Sequence, residues 1–101
     1  MESNNLKILQ QLLLQIPRRK VTTYKEIARA MGTKGCRTIG QLLHRNPDPN
    51  RYPCFKVVQS DGSLGGFALG PKDKIRRLKA DGVRVKNGKV INFDRILYKF
   101  E

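Results

Sequence analysis

Thr23-Tyr24-Lys25-Glu26-Ile27-Ala28-Arg29-Ala30-Met31-Gly32-Thr33-Lys34-Gly35-Cys36-Arg37-Thr38-Ile39-Gly40-Gln41-Leu42-Leu43-His44-Arg45 is the stretch that decides the fold. Thr23 and Glu26 have the spacing of a capping box, so a helix is predicted to start at Thr23. Ile27, Ala28 and Met31 give that helix its core side, and Gly32 ends it, because glycine closes a helix in the left-handed conformation at little cost. Beyond the turn at 32–35, a second helix is predicted over 36–45 with Ile39, Leu42 and Leu43 inward. Two short helices joined by a tight glycine-containing turn predict a helix-turn-helix, the second being the recognition helix. Arg37, Gln41, His44 and Arg45 then point outward or lie at its ends, which makes a DNA face.

On the N-terminal side, Leu6, Leu9, Leu13 and Ile16 recur at helical spacing over 3–16, with Ser3 or Asn4 as candidate cap and Pro17 as the stop. On the C-terminal side, Asn46-Pro47-Asp48-Pro49-Asn50 is a loop by composition. Phe55, Val57 and Val58 lead into a hairpin or wing that turns at Asp61-Gly62. Pro71 opens a helix with Ile75 and Leu78 inward, and with Lys72, Lys74, Arg76, Arg77 and Lys79 outward, closed by Gly82. Alternation on either side of Asn87-Gly88 predicts a last hairpin. The fold class is mainly α with small β-hairpins, a winged helix-turn-helix-like domain. Residues 1–101 read as one domain with a C-terminal hairpin extension over 83–98.

Composition narrows the function. The 101 residues include 21 Lys and Arg against 8 Asp and Glu, for a net charge of +13. Self-repulsion on that scale costs stability, and polyanion binding is its usual reason; nucleic acid is the commonest polyanion. No stretch is long and apolar enough to span a membrane, and the first residues do not read as a signal peptide. An intracellular location and reduced thiols at Cys36 and Cys54 are therefore expected. One histidine, few carboxylates and no Cys-x-x-Cys argue against a metal site, and no cofactor is expected. The glycine-rich segment at 65–66 lacks the Gly-Lys-Ser/Thr ending of a phosphate loop.

Several segments together are similar to the DNA-binding domain of the O6-alkylguanine-DNA alkyltransferases and the alkyltransferase-like proteins. They are Ile16-Pro17, Val21-Thr22-Thr23-Tyr24, Arg37-Thr38-Ile39-Gly40, Arg45-Asn46-Pro47, Pro53-Cys54-Phe55-Lys56-Val57-Val58 and Ser60-Asp61-Gly62-Ser63-Leu64-Gly65-Gly66. The resemblance implies a recognition helix in the minor groove of double-stranded DNA and an alkylated guanine flipped into a pocket. It assigns Cys54 as alkyl acceptor and Tyr24 as the residue that crowds the phosphate, drives rotation and gives a proton to the guanine. Arg37 becomes the finger that fills the vacated stack, offsetting part of a flipping cost of about a few kcal/mol. Thr38 and Gly40 are small, as a groove about 6 Å wide requires. Gln41 and Arg45 complete the DNA contacts, Pro53, Phe55, Lys56, Val57, Phe67, Ala68 and Leu69 the lesion pocket, and Asn46 and Asp81 the structural support.

The chain also departs from the family's pattern. Phe55 stands where the family has the histidine that draws the thiol proton, Lys56 replaces an arginine, and Asp81 occupies the glutamate position behind the histidine. An unassisted thiol is only a few per cent ionised at neutral pH, so full activation gains roughly 30-fold in thiolate. The expected function is irreversible, single-turnover acceptance of the alkyl group on Cys54 by a monomer. The alternative is a non-enzymatic sensor that flags the lesion for nucleotide excision repair proteins, which the small size and C-terminal hairpin resemble. A winged-helix regulator with no lesion preference is the third reading.

Overall fold

The computed structural model describes residues 2–33, 36–45, 48, 50–67 and 69–100, without the side chains of 2–4 and Cys36. Its elements are α1 (Glu2–Gln15), β1 (Thr22–Thr23), α2 (Tyr24–Ala30) and α3 (Cys36–His44), then a 3-10 turn (Cys54–Lys56) that runs into β2 (Val57–Val58). They are followed by α4 (Pro71–Ala80), the β3 (Val85–Lys86) and β4 (Lys89–Val90) pair, and a short α5 (Phe93–Ile96). The mainly helical class with small sheets is thus as expected, and α2 and α3 pack on one another as a helix-turn-helix pair should.

Local chemistry explains most boundaries. Thr23 is the N-cap of α2, its hydroxyl accepting the Glu26 N–H at 3.0 Å. Gly82, in a left-handed conformation, closes α4: its N–H donates to Lys79 O and the Val83 N–H reaches back to Leu78 O at 2.9 Å, a Schellman arrangement. Asn87 and Gly88 both take positive φ between β3 and β4, as a tight hairpin turn that follows the strand twist demands. At the other end, α1 already begins at Glu2, so Ser3 and Asn4 lie inside the helix rather than capping it.

Two apolar clusters flank the small sheet. One gathers Leu9, Leu13 and Ile16 of the N-terminal helix and its exit with Ile27, Ile39 and Val57; the other gathers Val21, Val58, Leu64, Leu78, Val83 and Val90. Val57 and Val58 feed opposite clusters because successive strand side chains alternate faces.

Two expectations are corrected. The wing at 57–67 is not a hairpin: Val57 and Val58 pair in parallel with Thr22 and Thr23, and the 62–64 segment bonds instead to the C-terminal hairpin. Leu64 N–H donates to Gly88 O and Val90 N–H to Gly62 O, while Gln59 and Ser63 close only a tight turn. A buried strand takes its hydrogen-bond partner from whatever edge packs beside it, and sequence adjacency loses here to tertiary placement. The second correction is Lys74, which is fully buried rather than outward. It lies four residues before Leu78, and that spacing puts both on one helix face whatever the side chain's charge.

Candidate functional site: a cysteine cleft beside the third helix

Cys54 sits at the head of the 3-10 turn, buried and outside any disulfide. The turn is tight: Cys54 N–H donates to Tyr52 O at 2.7 Å and Lys56 N–H to Pro53 O at 3.1 Å. Val57 N–H then returns to Cys54 O, which delivers the chain directly into β2. A cleft of about 200 Å³ opens over the cysteine, lined by Tyr24 of α2, by Gly66 and Phe67, and by Gly40, Leu43 and His44 of α3.

Tyr24 opens α2 immediately after β1, so its position follows from the pairing of Thr22–Thr23 with Val57–Val58. The phenol is half-buried; burial, and then the charge of a Cys54 thiolate, raise it above its ordinary value of 10.0. It therefore stays protonated at neutral pH. Gly65 makes room for it: at φ +70°, a Cβ there would stand 3.1 Å from the Tyr24 hydroxyl. Tyr24 and Gly40 also bound a second, more open groove lined by Lys25, Arg37, Gln59 and Ser60. Tyr24 and Gly40 thus line both the cleft over the cysteine and the more open groove along α3.

The other DNA-facing candidates divide simply. Arg37, Thr38, Gln41 and Arg45 are exposed on α3 or just past it, and Gly40 is half-buried with open space where a Cβ would go. Asn46 and Ala68 lie outside the described residues.

Of the residues expected in the pocket, Cys54's cleft gathers Phe67, whose ring also has the Arg77 guanidinium 5.8 Å from its centroid. Five others lie elsewhere. Phe55 turns to the second apolar cluster, Val57 is fully buried in the first, and Leu69 is exposed. Lys56 is buried pointing away from the cleft, its ammonium 2.7 Å from Asp81 Oδ2 and donating to Pro17 O at 2.7 Å. Pro53 is the half-buried residue leading into the turn and is absent from the cleft wall. A 3-10 turn explains the divergence, because its three successive side chains point in three directions about 120° apart.

Lys74 is the feature that residue-type reasoning missed. Its ammonium donates to Val57 O at 2.7 Å, to Leu64 O, and to Gly66 O at 3.1 Å. Burial pulls it down to about 8, and the Cys54 thiolate acts against that shift. The helical spacing with Leu78 was the signal that could have found it. His44 and Leu43 were likewise placed on the recognition helix but not in the cleft; nothing local in the sequence says which part of α3 faces Cys54.

The family model described as the DNA-binding domain of 6-O-methylguanine DNA methyltransferase matches residues 5–83. The chain belongs to that family. Within the 6-O-methylguanine DNA methyltransferase family it is 51% identical over 83 residues to a bifunctional methyltransferase/endonuclease of Picrophilus torridus, covering 81% of this chain and 28% of that one. The chain thus spans about a third or less of the bifunctional relatives it matches. Among solved structures, Schizosaccharomyces pombe Atl1 in complex with damaged DNA containing O6-carboxymethylguanine superposes with a TM-score of 0.85 at 25% identity, covering 97% of both chains. The O6-methylguanine-DNA methyltransferase of Pyrococcus kodakaraensis gives a TM-score of 0.71 at 34% identity, covering 79% of this chain and 46% of that one.

Proposed function

We propose that the protein binds double-stranded DNA through the minor groove, rotates an O6-alkylated guanine into the cleft over Cys54, and takes the alkyl group onto the cysteine. The observation behind this reading is the shared wall of the two clefts. Tyr24 touches both, so a nucleotide swung past it moves from the groove beside Arg37 to the cysteine. Arg37 then occupies the gap in the stack, and Gly40 lets the helix approach the groove floor. Thr38, Gln41 and Arg45 hold the backbone and groove edges on either side.

In the transfer step the Cys54 thiolate attacks the alkyl carbon, a C–S bond forms, and the bond from that carbon to guanine O6 breaks. The electron pair leaves with the base, which takes a proton from the Tyr24 hydroxyl; solvent returns it. The thioether is stable, so each molecule reacts once. Incubation with duplex containing O6-methylguanine, followed by intact-mass measurement, should show one methyl group added at Cys54. An unchanged mass from neutral to mildly alkaline pH would overturn transfer.

A second reading, lesion sensing without transfer, is favoured by the end-to-end match to Atl1 and by the engagement of Asp81 with Lys56 instead of with a proton relay. Nucleotide excision repair proteins would then be its partners. It predicts that Cys54→Ala binds the lesion as tightly as the unmodified protein, with selectivity over undamaged duplex preserved.

A further inference from the structure

The chain that follows α4 builds a groove that DNA binding through α3 does not use. A trough of about 480 Å³ is lined by Lys79 at the end of α4, by Val85 of β3 and by Ile91. It shares Gly82, Val83, Arg84 and Ile91 with a recess of about 190 Å³ bounded by Arg19, Asn92 and Ile96. None of these residues lines the cleft over Cys54 or the open groove along α3.

The groove has an apolar base and a cationic rim. Val83 is buried and Val85, Ile91 and Ile96 are half-buried, whereas Arg19, Lys79 and Arg84 are exposed. Among the described residues, no carboxylate pairs with the side chain of any of these three cations. By contrast, Lys56 is held by Asp81, and Arg76 and Arg77 are held by Asp73.

Arg19 reaches the recess from a strained backbone. Its φ of 72° lies in the left-handed region, which crowds any side chain and which glycine enters freely. Two contacts hold it there. Its N–H donates to Asp81 Oδ2 at 3.0 Å, and its stem crosses Gly82, where a Cβ would stand 2.7 Å from Arg19 Cγ. Glycine would make the same turn without strain; the arginine adds a guanidinium at the recess.

We infer that this groove docks a partner protein through an extended acidic segment, with an apolar side chain of that segment on the groove's base. Cations without carboxylates of their own complement an acidic peptide, and the base accepts its apolar residue. A duplex backbone would offer phosphates to the rim and nothing to the base. The inference is independent of what Cys54 does and holds for transfer and for sensing alike.

The probe is a fluorescein-labelled peptide of glutamates interspersed with leucines, titrated against the full chain by anisotropy at physiological salt. Arg19→Gly should weaken binding by roughly tenfold, the loss expected of a hydrogen bond to a charged group. Its thermal stability should stay level or rise, because the strain is relieved. Lys25→Ala removes the same charge from the DNA groove and should leave the peptide affinity within about twofold, since salt screens a distant charge. A peptide with serine in place of leucine should bind far more weakly. Should Arg19→Gly fold poorly, Arg84→Gln reads the same loss at a side chain that makes no hydrogen bond among the described residues. In NMR spectra the peptide should move the amides of 19, 82–84 and 91, and an undamaged duplex those of 25 and 37–41. Equal losses from Arg19→Gly and Lys25→Ala, binding indifferent to leucine, or duplex-induced shifts at 82–84 and 91 would each overturn the proposal.

Discussion

The carboxylate of Asp81 accepts from Arg19 N–H and pairs with a Lys56 ammonium whose side chain is 3% exposed. Removing one member of such a pair leaves the other buried without its complement, a cost of about 3–5 kcal/mol. Asp81→Asn should therefore lower stability by about that amount in chemical denaturation, while Asp48→Asn, on an exposed loop, should change it little. Because Asp81 is already engaged, Phe55→His alone should not restore ordinary relay behaviour. Its thiol titration should match that of the parent, which a pH profile of iodoacetamide modification would check. Lys74 makes a further prediction. Its proton leaves near 8 in the folded protein, and near the ordinary lysine value of about 10.4 when unfolded. Between those values the unfolded chain binds more protons, so stability should rise with pH from about 8 to about 10. Urea denaturation at successive pH values measures this slope, and Lys74→Met should flatten it.

Elements place these residues, and here glycine separates structural from functional roles. Gly40 lies within α3 with no atom inside 4 Å of a built Cβ, whereas Gly65 would press a Cβ onto Tyr24 at positive φ. Gly40→Leu should keep or raise thermal stability, since glycine costs about 1 kcal/mol in a helix interior, yet weaken DNA binding by tenfold or more. Gly65→Ala should do the reverse, losing about 1–2 kcal/mol and disturbing Tyr24 even without DNA. Denaturation and fluorescence-anisotropy titration of both variants would separate the two roles. The helices were legible in sequence because apolar spacing, Thr23, Pro17, Pro71 and Gly82 are local signals. The Cys54 turn was legible as a motif, but not the directions of Phe55, Lys56 and Val57, which depend on 3-10 rather than extended backbone. Strand pairing was least legible: Val57–Val58 found Thr22–Thr23 across more than 30 residues, and no local rule selects that edge over the nearer 62–64 segment.

At the scale of the whole molecule, the net charge of +13 sets the long-range behaviour. Among the described residues, Glu26, Asp73 and Asp81 are each engaged in an ion pair, and none of them lines the open groove. Lys25 and Arg37 line that groove exposed, and we propose that the chain acts as one domain presenting this face to DNA. Charge of this kind acts on any duplex, because each phosphate neutralised releases condensed counterions. Binding of undamaged DNA should weaken steeply with salt, with a log–log slope of about −0.9 per phosphate contacted. The two groove cations should nevertheless respond differently to truncation. Lys25→Ala should reduce the magnitude of the slope by about one while leaving the ratio of lesion to undamaged affinity unchanged. Arg37→Ala should lower that ratio, since a side chain that fills the vacated stack contributes only when a base has left it. Anisotropy titrations of both duplexes over a range of salt would resolve the slope and the ratio independently. Equal behaviour of the two variants would reduce Arg37 to a phosphate contact, and base flipping would then have to rest on Tyr24 alone.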